Sequence, residues 1–515
     1  MSTLGNSTFG RRSFVAGAGL LGLSLARASA QGTPIASPAQ ADLPAELVID
    51  LNGPPDHLDP ALAYSVRDWS IVHAVYDALI DFDIDGTLVP LAAEEFTTDD
   101  ATTFHVKLRE GMTFHDGTPV TSAAIGRTVK HIQETDSQIS DLFRGITEVR
   151  EIDDLRADIV CEQPSAWLPA QIAVWLVLYP ESATPESLET SPVGSGPYMF
   201  VSQDPGNTVV LERNPDYMPN SPKGQPLAQR VTYRFVPEAS TRVADLTTGT
   251  AQIVSAIPGD QLQAIEDAGL SVVTTPILGT TFVRIVTDVA PFDDARVRQA
   301  LNYGVDVQQI ADAIVGPNAN RLASFFPDPR GLGFDESLDP FPYDPDRARE
   351  LLSEAGLDDG FSAEIEVVAS SRTDVVEAIV AQLDQVGIHL TIVTTELAAF
   401  NQGWPDSSAP ALRYASWRPM YDPHSFLSLV VDSGGYLSRF DNADADELIR
   451  GAAIEPDDAV RDGLYQQLGR LLYDEPAAIY LWNATANYGV ADEFEDWTPR
   501  GDQYIVPTAV RGDES

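Results

Sequence analysis

Hydrophobic and polar residues alternate in several short segments of the chain, which is the pattern of strands with one buried face. The clearest segment is 103–109, where every second residue is apolar before a turn at Glu110-Gly111. Thr121 stands just before the next helical pattern and is expected to cap that helix. Five further segments are strand candidates: 47–51, 231–236, 281–287, 363–369 and 389–395.

Helical spacing of hydrophobic residues marks several segments between these strands. Ile71, Val75 and Leu79 share one face of a predicted helix, and residues 293–315 predict another. A third predicted helix, 344–356, has Asp-Pro at its start and Gly at its end, as helix termini prefer. Strands and helices alternate without a repeat of about 20–50 residues, so the sequence predicts an α/β fold with mixed sheets.

The N-terminal segment is expected to precede the folded part. Arg11 and Arg12 come before a short apolar stretch that ends in small residues at 28–30. This arrangement is typical of a secretory signal peptide, so residues 1–30 are predicted to be removed on export. The paired arginines indicate the twin-arginine route. Residues 31–46, rich in Pro, Ala and Ser, predict a flexible spacer.

Cysteine content and chain length constrain the mature protein. Cys161 is the single cysteine of 515 residues and lies far from the predicted cleavage site. An internal disulfide, a cysteine-based zinc site and a lipid anchor on cysteine are therefore excluded. After the signal peptide no run reaches about 18 apolar residues, so no transmembrane helix is expected. The length predicts roughly two to four domains. The mature protein is expected to be free outside the cytoplasmic membrane.

The chain is strongly acidic. Its formal charge is −45, and three of its 32 basic residues are lysines, which leaves 32 − 3 = 29 arginines. A surface of this charge repels nucleic acid and anionic lipid, so a partner of either kind is not expected. A strongly hydrated surface accounts for the acidity without any ligand.

The stretch DFDIDG, residues 81–86, allows three interpretations. In a secreted phosphatase-like hydrolase, Asp83 would be the nucleophile and Asp85 the acid, but a suitably placed lysine is missing. As a calcium loop the stretch starts at Asp81 and lacks the closing Glu, because Ala92 stands at position twelve. A partial loop with a weakly bound ion stays open. As a hairpin turn, the stretch joins two strands and its acids are solvated.

The sequence contains no other pattern of a catalytic or metal site. Gly194-Ser195-Gly196 is not a nucleophile elbow, because Val193 and Pro197 stand where glycines are needed. The seven histidines show no ligand spacing, and no phosphate-binding or dinucleotide-binding motif occurs. Neither a metal ion nor a cofactor is expected.

Ten short strings occur in the part of the chain that spans residues 47–500. In order, they are LDP (58–60), VYDAL (75–79), DGTLVPLAAE (85–94), LREG (108–111), FHDGTPV (114–120), GSGPYMF (194–200), ERNPDYM (212–218), FDDARVRQALNYGVD (292–306), YDPDRARELLSEAG (343–356) and WRPMYDPHSFL (417–427). In this order they resemble the extracytoplasmic solute-binding proteins of ABC importers, specifically family 5, whose members bind peptides and nickel complexes.

The resemblance implies an α/β fold of the periplasmic-binding-protein type II-like class, with two lobes around a hinge and an additional domain. The first lobe is discontinuous and comprises residues 47–82, 190–288 and 480–515. The additional domain is expected at 83–189 and the second lobe at 289–479. Closure of the lobes buries the solute, and the closed form is what a membrane permease recognises.

The resemblance also implies a cleft with aromatic residues and a glycine-rich turn instead of a catalytic group. Aromatic rings offer stacking area together with a polar end. The candidate ligand-binding residues are Tyr64, Trp69, Gly194, Ser195, Gly196, Trp417, Met420, Tyr421 and His424.

The resemblance defines the class of protein more closely than it defines the ligand. Met420 stands where many peptide-binding members have an aspartate that pairs with the peptide's α-amine. The expected function is a monomeric, non-enzymatic binding protein that delivers a small peptide or other polar solute to an ABC permease. A nickel chelate or an oligosaccharide is the alternative ligand. The alternative of another class is the hydrolase using Asp83 and Asp85.

Overall fold

A computed structural model of the chain describes residues 43–83, 86–316, 319–327, 329, 331–406, 408–418 and 420–509. Its strands are β1 (Glu46–Leu51), β2 (Ile80–Phe82), β3 (Leu88–Pro90), β4 (Ala93–Thr97), β5 (Thr103–Leu108), β6 (Ile146–Asp153), β7 (Arg156–Cys161), β8 (Tyr198–Asp204), β9 (Thr208–Arg213), β10 (Gln225–Pro226), β11 (Arg230–Phe235), β12 (Ile253–Val254), β13 (Ser271–Pro276), β14 (Thr280–Ile285), β15 (Asn320–Arg321), β16 (Phe361–Val368), β17 (Ile388–Thr395), β18 (Leu412–Trp417), β19 (Ala478–Asn483), β20 (Thr485–Val490) and β21 (Thr508–Ala509).

Its helices are α1 (Val66–Val75), α2 (Ala123–Glu134), α3 (Ser140–Phe143), α4 (Leu168–Trp175), α5 (Pro185–Thr190), α6 (Ala239–Thr247), α7 (Leu262–Asp267), α8 (Ala295–Tyr303), α9 (Val307–Ile310), α10 (Pro345–Glu354), α11 (Thr373–Asp384), α12 (Leu397–Gln402), α13 (His424–Val430), α14 (Ala443–Ile454) and α15 (Asp458–Asp474). Short 3₁₀ turns lie at Gly259–Gln261 and Asp492–Phe494, and one π-helical turn lies at Ala311–Val315.

Two large mixed sheets organise these elements into two lobes. The first sheet has the strand order β13-β20-β12-β1-β11-β9-β8, and the second has the order β15-β19-β14-β18-β16-β17. Parallel pairs occur in both, since β1 runs parallel to β11 and β16 runs parallel to β17, while most other pairs are antiparallel. The predicted α/β fold with mixed sheets is confirmed. We call the parts built on these sheets the first lobe and the second lobe.

Every predicted strand is found within two residues of its expected ends. Segment 103–109 forms β5 in a four-stranded sheet of order β4-β5-β7-β6. Its apolar side chains Phe104, Val106 and Leu108 are buried, as the alternation predicts. They pack into the same hydrophobic core as the first sheet, so this small sheet extends the first lobe.

Three predicted helix details are wrong. The helix predicted at 293–315 is interrupted after Tyr303, because the Asp306 side chain accepts a hydrogen bond from the Gln309 amide and starts a new helix. The helix with Ile71 ends at Val75, so Leu79 lies beyond it although it is buried. The residue before α2 is Ser122, not Thr121, and its hydroxyl donates to the Asp153 carbonyl instead of capping the helix.

The N-terminal predictions fall outside the described residues, since neither the signal peptide at 1–30 nor the spacer up to residue 42 is described. The domain boundaries remain predictions. The chain passes from the first sheet to the second between β13 and β14, ahead of the boundary expected at 288. In the part of the chain that is described, no helix is long and apolar enough to cross a membrane.

The negative charge of one buried acid in the first sheet is poorly compensated by neighbouring cations. Asp50 on β1 is fully buried, and its carboxylate lies 3.2 Å from Arg234 Nε. Arg234 also forms an ion pair with Asp245, and neither carboxylate oxygen of Asp50 accepts a hydrogen bond in the described structure. Burial raises the pKa of Asp50 to about 7, and Arg234 only partly offsets this effect.

We predict that Asp50→Asn stabilises the protein at pH 8. In the unfolded chain the carboxyl ionises near pH 4, but in the folded state it ionises near pH 7, so its contribution to stability falls as pH rises between these values. Removing the charge should raise the free energy of unfolding by about 1–3 kcal/mol at pH 8, and less towards pH 5. Urea unfolding at both pH values measures this. Asp245→Asn, which removes the other partner of Arg234, should destabilise; a less stable Asp50→Asn protein at pH 8 would contradict the account.

Candidate functional site

Two chain crossings connect the lobes. β13 continues into β14 through residues 277–279, and β19 continues into β20 through Ala484. The side-chain amide of Asn483 donates to the carbonyls of Ile277 and Gly279, so it ties the two crossings together. Gly279 has no room for a side chain, because a Cβ atom there would lie 2.6 Å from the Trp417 carbonyl oxygen. A pair of short extended connections of this kind allows hinge motion between lobes.

A cavity of about 1110 Å³, partly open to solvent, lies beside this hinge. Both lobes contribute to its walls. The first-lobe residues are Phe82, Asp83, Gly86, Pro222, Lys223, Thr275, Thr498, Pro499, Arg500, Gly501, Asp502, Val506 and Thr508. The crossing contributes Leu278, and the second lobe contributes Gly331, Met420 and Tyr421.

A buried ion network forms one wall of the cavity. Arg500 Nη2 donates to Asp502 Oδ2 at 2.8 Å and to Asp81 Oδ1 at 3.3 Å. Burial disfavours the charged guanidinium, but the two carboxylates outweigh it and raise the pKa of Arg500 well above its usual value. Arg500 therefore stays charged at all ordinary pH values, with most of its charge neutralised by the protein.

Lys223 is buried at the C-terminal end of α1. Its Nζ donates to the carbonyls of His73 at 3.1 Å and Tyr76 at 2.7 Å, and to Asp77 Oδ1 at 2.8 Å. A cation at this position satisfies the last carbonyl groups of a helix and complements its dipole. Asp77 also accepts from the hydroxyls of Tyr217 at 3.2 Å and Ser195 at 3.4 Å. All donor groups of this lysine are thus used by the fold.

Aromatic rings form the side of the site that faces the second lobe. Tyr421 stacks on Phe82 with ring centroids 5.4 Å apart and meets the edge of Trp175 at 6.2 Å. Tyr64 stacks on the same Trp175 at 6.1 Å, and 44% of Tyr64 is exposed. Trp69 packs edge-on against Trp175 at 4.8 Å but is fully buried. Tyr421 therefore forms the contact between the second lobe and an aromatic surface of the first lobe.

The candidate turn at 194–196 packs against the end of α1. A Cβ atom on Gly194 would lie 2.2 Å from the Val75 carbonyl oxygen, and one on Gly196 would lie 2.7 Å from the same atom. The Gly196 amide donates to that carbonyl at 2.9 Å, and Ser195 is buried. Close backbone approach explains both glycines, and the cavity walls do not include them.

Trp417 and His424 lie on the second lobe near the cavity but are not among its lining residues. Trp417 packs on Phe426 at 5.3 Å. The ring of His424 packs at a tilt on Trp167 of the first lobe, with ring centroids 5.2 Å apart, and the amide of nearby Ala166 donates to the Ala453 carbonyl. Of the nine candidate residues, Met420 and Tyr421 line the cavity.

The DFDIDG stretch does lie at the cavity, as part of a hairpin. β2 and β3 pair antiparallel, with Phe82 opposite Leu88, so the predicted hairpin is confirmed. The expectation that all its acids are solvated is wrong for Asp81, which is buried and paired with Arg500. Asp83 accepts a hydrogen bond from the Thr87 amide at 2.8 Å. Asp85 lies outside the described residues.

Sequence reasoning missed most of the charged wall. Arg500 and Asp502 lie in a turn without regular secondary structure, where no periodicity marks a residue as functional. The one available signal was the charged pair Arg500 and Asp502, with Pro499 before it and Gly501 between its members. As for metals, the described residues contain no group of three or more His, Cys, Asp or Glu side chains arranged to hold an ion.

Comparison with known proteins places this geometry in a family. The family model described as "Bacterial extracellular solute-binding proteins, family 5 Middle" matches residues 87–438. The chain belongs to this family. The glutathione-binding protein GsiB of Pectobacterium atrosepticum is 28% identical over 432 residues, which cover 77% of this chain and 83% of that protein.

Solved structures share the fold. HbpA2 from Haemophilus parasuis superposes with a TM-score of 0.81 at 21% identity, over 90% of this chain and 99% of that one. The periplasmic binding protein DppA from Helicobacter pylori, in complex with the peptide STSA, superposes with a TM-score of 0.72 at 19% identity, over 91% of this chain and 98% of that one. The predicted two-lobed binding-protein fold is confirmed.

We predict that Lys223→Met strongly destabilises the fold. The change leaves Asp77 charged and buried without its cation, which typically costs about 3–5 kcal/mol of unfolding free energy. Lys130→Met is the matched control, because Lys130 is 73% exposed and its pair with Glu134 contributes at most about 0.5 kcal/mol. Chemical unfolding monitored by tryptophan fluorescence measures both. The double variant with Asp77→Asn should recover part of the loss, and an unchanged midpoint for Lys223→Met would contradict the assignment.

Proposed function

We propose that the protein is the extracytoplasmic substrate-binding component of an ABC transporter, which captures a peptide-like or other polar solute and presents it to a membrane permease. The observation that carries the proposal is the cavity at the hinge, with walls from both lobes. A solute bound there contacts both lobes only when they are closed, so binding favours the closed form. A permease can then distinguish loaded from unloaded protein.

The lining of the cavity supports a small polar ligand of peptide type. Sites for small organic ligands combine apolar and aromatic walls with a few polar groups, and the lining of this cavity has that composition. Its lining includes the aromatic residues Phe82 and Tyr421 and the acids Asp83 and Asp502. Acidic walls favour an amino group, and the rings favour the apolar parts of a short peptide. Glutathione, which the relative GsiB is named for binding, is therefore the first ligand to test.

Arg418 supplies a positive charge at the edge of this region. It is exposed on the second lobe and makes no hydrogen bond or ion pair with any described residue. Its Cβ atom lies beside the hinge, since a Cβ atom on Gly279 would lie 2.9 Å from it. Burial raises the pKa of Tyr64, and the charge of Arg418 acts in the opposite direction. An uncommitted guanidinium can pair with a carboxylate of the solute. We infer that the ligand carries an anionic group at this end.

The mature protein is inferred to act outside the cytoplasmic membrane as a monomer, without catalysis. The rival hydrolase needs a lysine to stabilise phosphoryl oxygens near Asp83. Lys223 is the lysine at the cavity, and its ammonium already binds two carbonyls and Asp77. Binding of a nickel–histidine complex or of an oligosaccharide in the ligand test would identify the alternative ligand. Hydrolysis of phosphate esters would identify the hydrolase instead.

We predict that Tyr421→Ala weakens solute binding at least tenfold. The change removes the ring by which the second lobe closes onto Phe82, and an aromatic contact of this kind is worth about 0.5–1.5 kcal/mol beyond its buried area. Isothermal titration with glutathione, di- to tetrapeptides, a nickel–histidine complex and an oligosaccharide measures affinity. Tyr436→Ala is the control, because Tyr436 is 71% exposed.

The same preparations distinguish a binding protein from an enzyme. Asp83→Asn should keep solute affinity and lose at most the stability of its turn. Release of phosphate from model esters by the native protein, abolished by Asp83→Asn, would overturn the proposal. Failure of every solute in the panel to bind would also count against it.

We predict that Arg418→Gln weakens binding of a peptide acid more than binding of the corresponding peptide amide. A charged pair contributes about 1.5–3 kcal/mol, whereas the amide offers no anion for the guanidinium. The native protein should prefer the acid, and the variant should lose this preference. Arg296→Gln, an arginine already paired with Asp294, is the control. An equal loss for acid and amide would show that Arg418 does not meet the carboxylate.

A further inference from the structure

The second lobe contains a buried pair of arginines that the solute cavity does not use. Arg284 on β14 lies directly opposite Arg413 on the antiparallel neighbour β18. Arg284 is 2% exposed and Arg413 is fully buried. Residues directly opposite each other on adjacent strands point to the same face of the sheet, so the two guanidinium groups start from neighbouring positions.

Part of their hydrogen-bonding capacity is satisfied by the protein. Arg284 Nη1 donates to the carbonyls of Trp404 at 2.8 Å and Leu437 at 3.2 Å. Arg413 donates from Nε to Glu366 at 2.6 Å and from Nη2 to the Phe400 carbonyl at 2.6 Å. Three donor atoms remain without a hydrogen-bond partner in the described structure: Nε and Nη2 of Arg284 and Nη1 of Arg413.

The charges of this cluster do not cancel either. Glu366, opposite Arg413 on β16, is the one carboxylate that hydrogen-bonds to the two arginines among the described residues. The nearby pair of Arg439 and Asp288 is neutral as a unit. Burial and the charge of Arg413 lower the pKa of Arg284 to about 9, so both guanidinium groups are charged at neutral pH. The charge of Asp406 also acts on Arg413, but Asp406 is exposed. The buried side chains of the cluster therefore carry one positive charge more than negative.

The aromatic side chains around the two guanidinium groups do not neutralise this charge, so an anion is needed to balance it. The ring of Trp404 lies 4.6 Å from the Arg284 guanidinium carbon and 5.4 Å from that of Arg413. The Phe400 ring lies 4.2 Å from the guanidinium carbon of Arg413. Aromatic faces attract cations but carry no net charge. A water molecule can accept the free hydrogen bonds, yet it cannot neutralise the charge, and a buried charge without a counterion is costly.

We propose that the second lobe binds a small monovalent anion of halide size between Arg284 and Arg413, on the face of the second sheet that Trp404 covers. Two guanidinium groups on adjacent strands, with three donors unpaired, offer charge and hydrogen bonds to one ion. The site is separate from the solute cavity. It makes the stability of the second lobe depend on the concentration of that anion.

Thermal unfolding of the full chain tests the proposal, with chloride replacing gluconate at constant ionic strength. The midpoint should rise by about 1–2 °C for each tenfold increase of chloride above its dissociation constant, and bromide should act similarly. Arg284→Met should abolish this dependence. Without chloride it should cost little relative to the native protein, because it removes a like charge opposite Arg413.

Arg298→Met is the matched control. Arg298 is also buried, but it donates to the carbonyls of Pro476 and Phe292 and pairs with Glu475. Its loss should lower stability and leave the chloride dependence intact. If Arg284→Met does not fold, anomalous diffraction from native crystals in bromide decides, with a peak expected between the two arginines. Equal midpoints in chloride and gluconate, or water alone at that position, would overturn the proposal.

Discussion

The rest of the first lobe depends on how the C-terminal end of α1 is buried. A helix end buried in a core leaves carbonyl groups that need donors. Lys223 provides them, and Asp77 balances its charge. Gly196 packs on the Val75 carbonyl, where any side chain would collide. Segments far apart in the sequence therefore meet at one point. A charged pair taken out of water holds them there because the ammonium of Lys223 and both carboxylate oxygens of Asp77 are hydrogen-bonded.

The buried C-terminal end of α1 sets the position of the cavity wall. The chain leaves α1 at Tyr76, passes Asp77 and enters β2 at Ile80. Asp81 then faces Arg500, and the next residue, Phe82, presents its ring to Tyr421. The first lobe thus presents a wall held by ion pairs, whereas Tyr421 of the second lobe meets this wall by ring stacking. Such a division suits a closing protein, because stacking can be released without leaving a buried charge unpaired.

Local patterns predicted most of the fold, but less of the site. Strand alternation and helix-terminal residues are short-range signals, and β5 and α10 form where those signals lie. The wall at Arg500 depends on pairing with Asp81, 419 residues away, and nothing local marks such a contact. Trp69 and Gly194 were expected near the ligand from their motifs. Their environment in the structure is the buried end of α1 and its neighbours, a packing role that sequence alone does not separate from binding.

The distribution of charge bears on how such a protein selects its solute. The chain carries a net charge of −45, yet the cation Arg418 lies exposed next to the cavity-lining residue Met420. The acidic surface repels anions at long range, although salt limits this field to about 8–10 Å. A cation at the cleft acts at shorter distance, and its charge is worth more where closure of the lobes excludes water. For the solute we propose, with an amino group and an anionic group, the acidic surface therefore favours the amino end during the encounter, and the anionic group meets a cation only after the solute has entered the cleft.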